Sequence, residues 1–111
     1  MGTENLYPIA TRELSDKKAA LAPKIIEAWR NFSSTVFQEG VLSEKTKQLI
    51  AVAVAHVTQC PYGIKAQTKQ AMRKGASKKE IMEAIWVASE MRAVAVYTHA
   101  TIAMVEMDKK P

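Results

Sequence analysis

The amino-acid sequence predicts an all-α protein of five or six helices. Three observations carry that expectation. Gly and Pro number only four each in 111 residues, too few turn formers for a chain of many short strands. No segment alternates apolar and polar residues with the period of a half-buried strand. Apolar residues recur instead at helical spacing, as Ile25, Ile26, Trp29, Phe32, Val36 and Phe37 do. Hydrophobic residues make up 48% and charged residues 24%, a globular balance that argues against general disorder. At this length the chain fits one domain with one small core.

The elements follow in order. Residues 1–10 carry no helical period and read as an N-terminal arm; residues 11–111 read as one helical domain. A first helix is expected to open at Ser15 as N-cap, with Asp16 in its first turn. Pro23 interrupts or restarts it, and Gly40 is placed to end the next helix as a C′ glycine. Ser43 is the next N-cap, with Glu44 just inside. From Leu49 to Val57 that helix is apolar nearly all round, which predicts a central position or a subunit contact. Pro61 suits the first position of the following helix, where its missing N–H costs nothing. Gly75 closes that helix. Ser77 and Glu80 have the spacing of a capping box. Behind it come a helix with Ile81, Met82, Ile85, Trp86 and Met91, and a last one over roughly Arg92 to Met107.

Charge and composition exclude several classes. Lys and Arg total 16 against 11 Asp and Glu, a net charge of +5. The cationic stripe Lys65, Lys69 and Arg73 could meet phosphates, but no aromatic residues interleave it. A solvated face is the expectation, and nucleic acid is not an expected partner. The uncharged stretch Leu49 to Tyr62 is too short and polar to span a bilayer, and Glu90 and Arg92 interrupt the apolar last third. No basic start followed by an apolar run marks a secretory leader. A lone cysteine, Cys60, forbids an internal disulfide and any all-cysteine zinc site. These features predict a reduced, cytoplasmic protein without a membrane partner.

Few residues carry chemistry. Cys60 precedes Pro61 and so sits at a helix N-terminus, which favours thiolate. His56, four residues earlier, and the distant His99 could join it around a metal, but their spacing matches no zinc pattern. No metal and no cofactor are expected. Trp29, Phe32, Met82, Trp86, Met91 and Met104 read as core or interface.

The segments Lys45–Val54, Cys60-Pro61-Tyr62-Gly63-Ile64-Lys65-Ala66-Gln67-Thr68 and Gly75-Ala76-Ser77 resemble the carboxymuconolactone decarboxylase and alkylhydroperoxidase D-like family. The resemblance covers roughly residues 41–103. It implies an all-helical fold in obligate homo-oligomers, trimers or hexamers. In the redox branch it also implies a Glu, a Cys-x-x-Cys pair and a His four residues after the second Cys. On this chain the first Cys falls on Cys60, the second on Gly63, the His on Gln67 and the Glu on Gln48. Glycine supplies no sulfur, and Gln exchanges no proton near neutral pH. The position of Cys60 implies a resolving cysteine, buried and inert. The resemblance therefore implies an assembly subunit with a disabled thiol-redox site, either a natural pseudoenzyme or an engineered self-assembling scaffold. A larger assembly and a second protein bound through the apolar run Ala93 to Val105 fit the same reading. The alternative is an enzyme retaining only Cys60, a thiol peroxidase or reductase, or a lactone decarboxylase.

Overall fold

The computed structural model describes residues 7–110, and all of their regular structure is helical. Five helices follow in order: α1 (Arg12–Leu21), α2 (Pro23–Val36), α3 (Glu44–Val57), α4 (Pro61–Arg73) and α5 (Lys78–Met107). Of the expected arm, residues 1–6 lie outside the described residues, and residues 7–10 are not helical. Two compact units divide the chain, one ending at Lys47 and one starting at Gln48, so the boundary falls inside α3.

In the first unit α1 starts earlier than the sequence predicts. Thr11, not Ser15, is the N-cap: its hydroxyl accepts the Leu14 N–H at 3.2 Å. Ser15 already lies in the first turn, its N–H bonded to the Thr11 carbonyl at 3.0 Å. Ala22 takes a non-helical conformation, and Pro23 restarts the chain as α2. Gly40 does not end α2. The helix stops at Val36, and the left-handed glycine expected at its end is not there. Lys47 closes the end instead, donating from Nζ to the carbonyls of Val36 at 2.8 Å and Gln38 at 2.6 Å. A cation there satisfies orphan carbonyls and meets the negative end of the helix dipole. Ser43 caps α3 as predicted, accepting the Thr46 N–H at 3.1 Å.

The second unit holds a small core of Val52, Ala71, Ala76 and Ile81, with Leu49 and Ile85 packed against it. Two turns of one type build it. Gly75, at φ +93°, ends α4 in a Schellman motif: its N–H bonds to Met72, and Ala76 N–H bonds to Ala71 at 2.9 Å. The end of α3 repeats the pattern without glycine. Gln59 takes φ +56°, its N–H bonds to His56, and Cys60 N–H bonds to Ala55 at 3.1 Å. The α3 face expected to be apolar all round is only partly covered within the chain: Gln48, Val52 and Ala55 are buried, while Ile50 and Val54 are exposed.

The two last helices expected from sequence are one helix of 30 residues. Nothing between Lys78 and Met107 breaks it, since the segment has no Gly or Pro. The predicted capping box starts it: Ser77 and Glu80 exchange hydrogen bonds of 2.8 and 3.1 Å. Ile81 and Ile85 pack beside Val52 and Leu49, and the Arg92 guanidinium reaches the Val57 carbonyl at 3.1 Å. Hence α5 runs along α3, passes its end at Arg92, and continues for 15 more residues, about 22 Å. From Ser89 to Lys110 no residue is buried.

Left-handed backbone costs a residue with a Cβ about 1–2 kcal/mol. Gln59→Gly removes that cost and loosens the unfolded chain slightly, so a net gain of about 0.5–1 kcal/mol is expected. The check is an upward shift of the urea midpoint with an unchanged slope.

Candidate functional site

The four positions that the resemblance singles out, Gln48, Cys60, Gly63 and Gln67, lie on α3, on α4 and in the turn between them. The Schellman turn at Gln59 sets Cys60 as N-cap of α4, and its sulfur accepts the Gly63 N–H at 3.3 Å. A Cβ built on Gly63 would lie 3.3 Å from the Ala55 Cβ and 3.3 Å from the Cys60 sulfur. Thus α4 runs back against α3, with Gly63 opposite Ala55, and Ala71 meets Val52 farther along. Gln67, one turn past Gly63, is half-buried on α4. Gln48 lies two turns before Ala55 on the same face of α3.

Within the chain Cys60 is exposed, where the resemblance implied a buried position. The cause is local. The left-handed Gln59 turns the chain out of α3, and the side chains beside the sulfur are small: Ala55 and the bare Gly63.

Gln48 is only 6% exposed, and its Oε1 has no hydrogen-bond partner among the described residues. A buried acceptor left unpaired costs about 1–3 kcal/mol. At the position where the resemblance would put the acid of the redox branch, this chain therefore buries a neutral amide.

His56 is half-buried, with Nδ1 2.8 Å from the Val52 carbonyl, so that nitrogen carries the proton and the carbonyl accepts it. This hydrogen bond ties the ring to its own helix. His99 is exposed on the far part of α5. Among the described residues no three His, Cys, Asp or Glu side chains come together to hold a metal ion. Lys65, Lys69 and Arg73 are exposed on α4. No helix among the described residues is long and apolar enough to cross a membrane. Trp29, Phe32, Met82, Trp86, Met91 and Met104 are all exposed, so none is core within the chain. Two residues that shape the site escaped the sequence. Gln59 is no favoured left-handed residue, and the reach of Arg92 to Val57 spans 35 positions.

The family model for carboxymuconolactone decarboxylases matches residues 23–106. The chain belongs to the carboxymuconolactone decarboxylase family. A Paracoccus denitrificans protein named as uncharacterized protein 4 in the cox locus is 51% identical over 102 residues, 92% of this chain and 91% of that protein. A crystal structure of a Methanobacterium thermoautotrophicum protein matches with a TM-score of 0.71 at 30% identity, covering 76% of this chain and 94% of that one. A Thermotoga maritima structure matches with a TM-score of 0.65 at 24% identity over 91% and 99% of the two chains, a likeness of fold. The family and the helical fold implied by the sequence are thereby established.

Gln48→Met keeps the volume and removes the unpaired acceptor, so the family member should gain about 1 kcal/mol. Chemical denaturation of the two proteins side by side checks this, and a loss would mean that the amide has a partner in solution. Cys60 should be labelled by a disulfide reagent in the native protein without denaturant. Labelling that appears only on unfolding would place the sulfur under another subunit.

Proposed function

We propose that this protein is a homo-oligomeric assembly subunit of the carboxymuconolactone decarboxylase family in which the thiol-redox chemistry is switched off. The observation that carries the reading is the residue set at the family site. Gly63 stands where the second sulfur would be, against Ala55 and Cys60. Gln48 is buried and neutral, and Gln67 replaces the imidazole. Without a second sulfur no intramolecular disulfide forms. Without an acid or an imidazole at these positions no proton is relayed to or from the remaining thiol.

The assembly half of the proposal draws support from α5, apolar over Ala93 to Val105 and unburied from Ser89 onward. Such a surface is normally covered by protein. A trimer, or a hexamer built from dimers, is the proposed form, in a reducing cytoplasm suited to one free thiol. A natural pseudoenzyme and an engineered scaffold share these features, and a larger assembly or a second protein on α5 extends the same reading.

The exposed sulfur of Cys60 favours one competing reading, a single-cysteine thiol enzyme working with an external thiol. Peroxide consumption with dithiol donors separates the two. Negligible turnover is expected, and rates of about 1 per second or more would overturn the proposal. Gly63→Cys, Gln67→His and Gln48→Glu together should restore measurable turnover, because the Gly63 position needs its neighbours to yield only a few tenths of an ångström. Gly63→Cys alone should restore much less, since such groups act as a unit. Light scattering in solution should give a mass several times 12.3 kDa.

A further inference from the structure

The far part of α5 carries like or complementary residues at several pairs of positions equidistant from His99. Centred on His99, Met91 mirrors Met107, Val96 mirrors Ile102, and Ala95 mirrors Ala103. Arg92 mirrors Glu106 with opposite charge. Arg92, His99 and Glu106 are spaced by seven, so they share one face of the helix, with Ala95, Val96, Ile102 and Ala103 between them. This face continues the stripe of Ile81, Ile85 and Ala88 that packs in the core, but it begins where α3 ends. Val96 is 74% exposed and Ile102 68% exposed.

A helix face with opposite charges at equal distances from its centre fits a second copy laid antiparallel across a two-fold axis. Such a contact is isologous: residue 92 meets residue 106, and residue 106 meets residue 92. We infer that the face of α5 from Met91 to Met107 is the docking site for the same face of a second copy, antiparallel, with His99 at the two-fold axis and each Arg92 against the partner's Glu106. Charge complementarity selects the occupant and the direction. A parallel pairing would set Arg92 on Arg92 and Glu106 on Glu106 in an apolar contact. Ala95 and Ala103 allow the helices to approach closely, and the central His99 is the residue that meets its own copy. The Arg92 guanidinium has N–H groups left beyond the one at Val57, and Glu106 carries only an exposed partner, Lys109 at 3.2 Å.

This inference rests on the homo-oligomer reading and goes further by naming the contact. The test uses the full chain with Cys60→Ser, so that no native thiol interferes. His99→Cys should form a disulfide between two copies under mild oxidation, because close-packed helices bring facing Cα atoms within disulfide range. Val94→Cys, on the opposite side of α5, should not. Charge reversal supplies an independent measurement without oxidation. Glu106→Arg alone and Arg92→Glu alone should each weaken the dimer contact at least tenfold in sedimentation, and the double reversal should restore it. Rescue by the double variant separates pairing from misfolding, since two damaged chains would not repair each other. An intact oligomer in which His99→Cys does not cross-link and neither reversal changes the mass would overturn the α5 contact and leave the oligomer standing. A monomer would overturn both.

Discussion

The second unit depends on how closely α3 and α4 approach. Gly63 presents no side chain to Ala55, and Val52 meets Ala71 in the same seam. Small residues on one helix against small or β-branched residues on the other draw the two backbones together. The Schellman turn at Gln59 makes this approach possible by reversing the chain within three residues of the end of α3. Cys60 then becomes the N-cap of α4, and Gln48 and Gln67 become residues of the packed seam. Site and core are one piece of structure, so a change at a family position is first a packing change and only then a chemical one.

That coupling lets the residue types at these positions change while the packing is kept. Glutamine is close in volume to glutamate, so Gln48 can fill the space of an acid while its amide stays neutral. Its unpaired Oε1 is a local stability cost of a kind that functional sites usually carry. Glycine at position 63 leaves Ala55 and the Cys60 sulfur without a side chain opposite them. The Cβ position there is tight but not blocked.

Much of the fold was legible in the sequence because it is punctuated by residues with one physical meaning. Pro61 starts α4, Gly75 ends it, and Ser77 with Glu80 starts α5, each as read. Other ends were misread where a strong local signal lay beside a stronger contact. Ser15 looked like an N-cap, but Thr11 came first. Gly40 looked like a helix stop, but Lys47, eleven residues from Val36 in sequence, closes α2. A boundary was expected near Arg92 because the residue pattern changes there, yet a change of pattern breaks no hydrogen bonds, and the helix runs on. For the site, the family resemblance pointed to Gln48, Cys60, Gly63 and Gln67, and the structure sets Gly63 beside Cys60 and Ala55 where α3 turns into α4. The exposure of Cys60 was not legible, because it depends on Gln59 in a left-handed conformation that no favoured residue type announces.

The structure also divides its apolar surface unevenly. Of the six buried hydrophobic residues among those described, four are alanines, and Val52 and Ile81 are the larger two. The larger apolar residues, Trp86, Val96, Tyr97, Ile102 and Met107 among them, stand outside that set on α5. A chain stabilised mainly from within would place its large side chains where they lose most contact with water. Here the close-packed seam uses small residues because two backbones must meet at Gly63, and the larger hydrophobes are left for a surface. Arg92 marks the transition. On one side of it α5 packs on α3, and its guanidinium closes the end of that helix. On the other side the same face goes on, bare within the chain. The residue that ends the internal contact is the one whose charge is mirrored by Glu106. The division of α5 into a part packed within the chain and a part left bare by it thus falls at a single arginine.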